Sequence, residues 1–355
     1  MNVNRYQRQE LLPQIGKGGQ ERIRAARVLL VGCGALGSVM ADYLVRAGVG
    51  EIVIADRDIV EWTNLQRQVL FEEEDAKGGI PKVVAAKERL GRVNGDVRVE
   101  ALVVDVHGGN LEEILKSQIR NPNDETSPKS EIRRGFDLIL DGTDNVETRY
   151  LVNDVAVKWG IPWVYGACVG WEGRVMGVMV GGACLRCVYR ERPMGRELAT
   201  CDTAGVMGPA AGVVASMQAV VALKMLSGNV AAVGREMVVM DLWGNRIRSI
   251  AVEKDPECPC CGKGEFPFLA ERAAEGSVSL CGRDAVQVRG SGGVELEKVA
   301  RKLEGVGRVE QNRYFVRCDV GEGVVVTVFA DGRMIAGGTR DGGRARALYA
   351  KYVGA

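Results

Sequence analysis

Apolar positions along this chain follow two periods. Residues 26–32, ARVLLVG, are apolar apart from Arg27, the pattern of a strand covered on both faces. EIVIAD (51–56), VRVEALVVD (97–105) and FDLILDGTDN (136–145) read as further strands. Between them the spacing turns helical, at about 36–48 and again at 81–93, where Pro81 sits at the start and its missing N–H costs nothing. Residues 5–25 read as one amphipathic helix with Leu11, Leu12, Ile15 and Ile23 on its apolar side. Strands alternating with helices predict an α/β fold with a Rossmann-like, doubly wound parallel sheet. Later, GRVMGVMVG (173–181), REMVVMDLW (235–243) and RIRSIAVEK (246–254) lose that alternation, so the second half of the sheet is expected to be antiparallel. A long helix over about 204–227 should stop at Ser227–Gly228. The polar stretch 121–135, with Pro122 and Pro128, reads as a mobile surface insertion. Past residue 263 the pattern changes to short alternating strands (RYFVRCDV, GVVVTVFADG) and two helical pieces. The expected division is 1–263 as the main domain and 264–355 as a small α+β C-terminal domain.

Composition narrows the function. Lys+Arg (47) and Asp+Glu (46) nearly cancel, which leaves no overall charge to favour nucleic acid or a membrane surface. The N-terminal residues lack the apolar core of a signal peptide. The longest apolar stretch, GVVASMQAVVALKML, carries Gln218 and Lys224 and reads as too short and too polar to span a bilayer. A cytoplasmic location is expected, where ten cysteines serve as ligands, nucleophiles or packing more often than as disulfides. The single histidine, His107, opens a Gly-rich loop, so the chemistry is expected to run without histidine.

Three motifs carry chemistry. Gly32-x-Gly34-x-x-Gly37 joins a strand to a helix, and Asp56 follows nineteen residues after Gly37 at the end of the next strand, where it can meet ribose hydroxyls. DRDIVEWTNLQRQ (56–68) with Lys82 supplies Asp58, Asn64 and Arg67. A triphosphate needs such cations, whereas a polar surface loop accounts for them equally well. LDGTDN (140–145) places Asp141 and Asp144 past a strand end, where Asp144 can hold Mg²⁺ or, like Asn145, cap the following helix.

Taken together and in order, RYQRQ (5–9), GCGALGS, DRDIVEWTNLQRQ, PKV, DGTDN, CLRC, TCDTAGVMGP and CPCCG resemble the ThiF, MoeB and ubiquitin-activating enzyme family over about residues 4–262. The resemblance implies adenylation by MgATP of the C-terminal glycine carboxylate of a small ubiquitin-like sulfur carrier ending in Gly-Gly. It implies Asp56 as the ribose acid, with Asn64 and Asp58 beside Arg67 and Lys82 as phosphate clamps and Asp144 as the magnesium-linked aspartate. Arg8 matches an arginine that reaches a neighbouring subunit's site, which implies a homodimer. A carboxylate nucleophile is already ionised at neutral pH, so the reaction needs no general base.

Cys184-x-x-Cys187 and Cys258-x-x-Cys261 have the spacing of a closed Cys₄ zinc site, and the family carries a structural zinc at matching positions. Cys260, between two of them, is expected not to be a ligand. Cys201 lies just before the long helix with Arg190, Arg192 and Arg196 near in sequence. In part of the family the matching cysteine links to the carrier or carries sulfur; in other members it is dispensable, and both readings stand here. Cys33 and Cys168 read as core residues. The C-terminal cysteines, Cys281 and Cys318, do not form a rhodanese-like loop, and a domain that docks the carrier or a sulfur donor such as a cysteine desulfurase is the expectation. The competing readings are a family member acting on another carrier, a peptide or tRNA, a nicotinamide-dependent oxidoreductase, which leaves Arg67, Lys82 and the cysteine pairs unexplained, and a non-catalytic scaffold of the same fold.

Overall fold

The structure, a computed structural model, describes residues 4–117, 135–193, 201–270, 277–279, 284–290 and 292–354. Most of the polar stretch 121–135 lies outside them, as do Arg196 and Cys281. The chain divides into two compact units, Met1–Glu271 and Arg272–Ala355.

In the first unit the elements run α1 (Gln7–Glu10), α2 (Gly16–Ala25), β1 (Arg27–Val31), α3 (Ala35–Ala47), β2 (Glu51–Asp56), α4 (Glu73–Gly78), α5 (Lys82–Val93), β3 (Arg98–Val103), α6 (Leu111–Ser117), β4 (Leu138–Asp141) and α7 (Val146–Trp159). They continue with β5 (Trp163–Val169), β6 (Glu172–Val178), α8 (Leu185–Val188), α9 (Cys201–Ala204), α10 (Gly208–Leu226), β7 (Glu236–Asp241), β8 (Arg246–Ala251) and α11 (Pro267–Ala270). Among the described residues these strands form one sheet in the order β3-β2-β1-β4-β5-β6-β7-β8. Pairing is parallel from β3 to β5 and antiparallel from β5 to β8, as the loss of alternation predicts.

All five residues of β1 are buried because each face is covered. Val28 and Leu30 pack with Met40 and Leu44 of α3, Val83 of α5 and Ala211 and Ala215 of α10. Leu29 and Val31 face the other way, toward Leu111 of α6 and Val152 and Val155 of α7. Strand order reverses at β1, between β2 and β4, so the crevice past their C-terminal ends is the place for a ligand.

Three features depart from the sequence reading. Residues 5–25 form two helices: Pro13 has no N–H to donate and breaks the run, leaving Leu11 and Leu12 exposed. Strand β5, WVYGACV, is an additional element, a buried run whose small residues weaken its strand pattern. α10, at 19 residues, does have the length and apolar character of a membrane-crossing helix. Here Ala210, Ala211, Val214 and Ala215 are buried in the sheet-covering core.

In the second unit, β9 (Ser277–Ser279), β10 (Ala285–Val288), α12 (Leu296–Glu304), β11 (Val309–Gln311), β12 (Phe315–Asp319), β13 (Val325–Phe329), β14 (Met334–Gly337) and α13 (Gly342–Tyr352) build an α+β layer pair. The antiparallel sheet runs β11-β12-β13-β14-β10-β9. Val316, Val326, Val328, Met334 and Val286 share a core with Val299 and Leu303 of α12 and Ala345 and Tyr352 of α13. Asp341 caps α13 through the N–H groups of Gly343 and Arg344.

Candidate nucleotide site and metal centre

The glycines after β1 make a cradle. Gly32 has φ +90°, and a Cβ there would lie 2.6 Å from Gly142 O, so the turns after β1 and β4 touch backbone to backbone. Gly37 packs α3 on that turn, where a Cβ would overlap Gly32 O. Gly34 differs: the nearest atom to a Cβ is Gln68 Nε2 at 3.9 Å. The N-terminus of α3 thus opens onto free space, suited to an anion.

Asp56 fixes this cradle from β2. Its Oδ2 accepts from Cys33 N at 2.6 Å and its Oδ1 from Asp58 N at 2.7 Å. Burial pushes its carboxyl above the ordinary range, against the pull of Lys82. Lys82, the first residue of α5, is buried, and its Nζ lies 2.9 Å from Asp58 Oδ2. Burial opposes the Lys82 charge, but Asp58 and Asp56 outweigh it and hold the ammonium above its usual range. Asp144, exposed after β4, adds to the negative field on both Lys82 and Arg57. Asn145 caps α7 by accepting from Thr148 N at 2.9 Å, which leaves Asp144 free of that task.

Other expected residues take more mixed roles. Asn64 is buried, its Oδ1 accepting from Glu61 N at 3.1 Å to cap the 3-10 turn Trp62–Asn64, while its Nδ2 has no protein partner. Arg67 is half-exposed and donates to Thr63 O at 2.7 Å. Arg8 is exposed on α1. Asp141 is fully buried; its Oδ1 accepts from Thr143 N and Oγ1, and its Oδ2 lies 3.3 Å from Arg149 Nε. It braces the loop and does not reach the crevice. Cys201 begins the one-turn helix α9, separate from α10. Gly205, at φ +75°, and the bridge of Val206 to Gly170 interrupt the helix between them. Arg190 bonds Asp255 at 3.0 Å and Arg192 stacks on Phe268, so both charges are engaged beside the cysteine knuckles.

Sequence reasoning passed over two polar residues. Gln68 is buried with Oε1 unpaired, and its amide lies at the open side of Gly34. Arg57 bonds Asp105 at 2.9 Å and lies 3.9 Å from Asp58, joining the ends of β2 and β3. Both stand within DRDIVEWTNLQRQ; only the fold reveals which way they face. Unpaired Asn64 and Gln68 atoms, an open helix N-terminus and a buried cation fit a polyanionic, hydrogen-bonding ligand.

Cys184, Cys187, Cys258 and Cys261 converge, with all four Sγ atoms within 4.8 Å of one another. Cys184–Cys258 and Cys187–Cys261 are 3.6 and 3.4 Å apart. A tetrahedral zinc with Zn–S of about 2.3 Å requires S···S of about 3.8 Å, so the donor set fits that ion. Each knuckle is closed by its own backbone, Cys187 N to Cys184 O and Gly262 N to Cys258 O, both 3.0 Å. Cys260 stands outside the group of four.

Residues 6–260 match the ThiF family. The chain belongs to that family. It is 42% identical over 361 residues to the sulfur carrier protein ThiS adenylyltransferase of Bacillus subtilis, covering 99% of this chain and 100% of that one. It is 39% identical to the sulfur carrier protein adenylyltransferase of Thermus thermophilus, over 73% of this chain and 91% of the relative. Among solved structures, E. coli MccB superposes with a TM-score of 0.60 at 22% identity, covering 75% of this chain and 74% of MccB, a likeness of fold. The ThiF match ends before Arg272, so the second unit is an addition to the family domain.

Proposed function

We propose that this ThiF-family protein adenylates the C-terminal glycine carboxylate of a small ubiquitin-like sulfur carrier at the expense of ATP, releasing pyrophosphate. The relatives' names support the carrier, and Lys82 is the observation that carries the chemistry. It is a buried cation held by Asp58 at an open glycine cradle, where a nicotinamide enzyme has no use for it. The carrier carboxylate attacks the α-phosphorus of ATP; the bond to the β-phosphate oxygen breaks, and the electron pair leaves with pyrophosphate. Catalysis then rests on positioning and on stabilising charge at the phosphates, with no proton to move. Asp56 orients the ribose, Lys82 and Arg67 take the phosphates, and Asn64 Nδ2 and Gln68 Oε1 supply hydrogen bonds. Asp144 is the ligand for Mg²⁺, which neutralises phosphate charge when bound. The four thiolates hold a structural Zn²⁺; the set has no open position for substrate. Arg8 serves the partner subunit's site in a cytoplasmic homodimer, and Cys201 receives the activated carrier or sulfur from a donor such as a cysteine desulfurase. The C-terminal unit docks carrier or donor.

Pyrophosphate–ATP exchange tests the reading. Exchange that requires a carrier ending in Gly-Gly is expected, and Lys82→Gln, Arg67→Ala and Asp144→Asn should each abolish it. No exchange with any such carrier, or NADH binding in preference to ATP, would sink it.

A further inference from the structure

The sequence CPCC leaves a third thiol whose task the ligand set does not explain. Cys260 is fully buried, and its Sγ accepts a hydrogen bond from Asn153 Nδ2 at 3.2 Å. Cys260 lies between Cys258 and Cys261, two of the four converging donors. Asn153 is itself fully buried on α7, and its other amide atom is also engaged. Its Oδ1 accepts from Leu185 N at 2.9 Å, inside the Cys184–Cys187 turn. One side chain therefore grips both knuckles, which are separated by about seventy residues of sequence. It reaches the first through the backbone and the second through Cys260.

A Cys-x-x-Cys turn aims its sulfurs through the orientation of its own peptide groups. Fixing Leu185 N sets the turn that carries Cys184 and Cys187. Fixing Cys260 sets the turn that carries Cys258 and Cys261. Outer partners of this kind orient metal ligands and tune their strength as donors.

We propose that Asn153, with Cys260 as its relay, is a positioning residue for the four-thiolate centre, holding the two knuckles at the separation a zinc ion requires. The inference rests on the zinc reading above. It implies that Cys260 acts on the metal without touching it.

The test is zinc affinity of the full chain, measured by competition with a chromogenic chelator, beside the thermal midpoint of the metal-free protein. Variants are Asn153→Ala, Cys260→Ala and the double. Asn153→Ala should bind zinc about 10- to 100-fold more weakly. Cys260→Ala should weaken it in the same direction, and the double variant should fall no further than Asn153→Ala, since the relay is already lost. Parental zinc affinity in Asn153→Ala overturns the inference even where its metal-free midpoint drops, because that is structural packing alone. If Asn153→Ala does not fold, Cys260→Ala decides: weaker binding supports the inference and parental affinity overturns it. A parental chain that takes up no zinc overturns the zinc reading and this inference together, whereas zinc held equally by parent and variants overturns this inference alone.

Discussion

Two alanine substitutions two residues apart in the glycine cradle should fail in opposite ways. At Gly32 the φ of +90° is strained for any L side chain, which costs about 1–2 kcal/mol. The new Cβ would also lie 2.6 Å from Gly142 O, where real Cβ atoms essentially never come under 3.0 Å. Strands β1 and β4 would have to part by at least 0.4 Å at their ends (3.0 minus 2.6). Overpacking of that sort costs about 1–3 kcal/mol. The sum, about 2–5 kcal/mol, lowers the thermal midpoint by about 4–20 °C for a unit of this size. At Gly34 φ is −85° and no atom comes within 3.4 Å of a Cβ, so packing opposes the methyl little. On the proposed reading that methyl fills the space a phosphate enters, and about 1–3 kcal/mol of overlap raises the KM for ATP about 5- to 150-fold. Thermal unfolding and carrier-dependent pyrophosphate–ATP exchange, run on both variants, separate the two effects. A Gly34→Ala protein with parental KM for ATP refutes the cradle as the phosphate site, and a Gly32→Ala protein with parental midpoint refutes the packing argument.

Three further outcomes follow from other parts of the structure. Arg149 lies against buried Asp141 and donates to Thr143 O at 2.8 Å. Arg149→Ala strands that carboxylate, so unfolding experiments should find about 3–5 kcal/mol of lost stability, and a loss under 1 kcal/mol would count against the brace. Burial holds the Tyr165 hydroxyl up to about 12. The folded chain therefore keeps a proton that the unfolded chain releases from about pH 10, and stability falls as pH rises from about 10 to 12. Denaturant titrations across that window should show a shallower fall in Tyr165→Phe; identical slopes would contradict the burial argument. Cys201→Ala should retain exchange and lose sulfur transfer to the carrier, and loss of exchange itself would move Cys201 into the adenylation step.

Legibility in the sequence tracked how local the determining physics is. β1 and β2 were readable because a strand covered on both faces must be apolar throughout, and Val28 to Val31 satisfy that by themselves. The two cysteine knuckles were readable because a Cys-x-x-Cys turn encodes its geometry within four residues. The 5–25 stretch misled because Leu11 and Leu12 keep helical spacing across a Pro13 that forbids the helix. Asp141 and Asp144 are both strand-end carboxylates in LDGTDN. Only the arrival of Arg149 from α7 decides that Asp141 turns inward and Asp144 remains exposed. Gln68 escaped notice for the same reason, since its value comes from Gly34, thirty-four residues earlier.

Helix α7 connects these local devices. Its cap, Asn145, follows Asp144 directly, and one turn later Arg149 clamps the loop that carries Asp144. Tyr150 donates to the carbonyls of Tyr189 and Glu191, just beyond the first knuckle. One turn further, Asn153 bonds Leu185 N and Cys260, and Asp154 accepts from Phe268 N at 3.1 Å. A rigid helix carrying contacts at both ends cannot shift at one without shifting at the other. On the proposed reading the four-thiolate centre takes no part in chemistry at the α-phosphorus, yet it anchors the helix whose cap directly follows Asp144. Metal loss should therefore register first as a weaker grip on MgATP and only later as unfolding. A metal-free protein that keeps the parental KM for ATP up to the onset of thermal unfolding would show that α7 does not transmit the constraint.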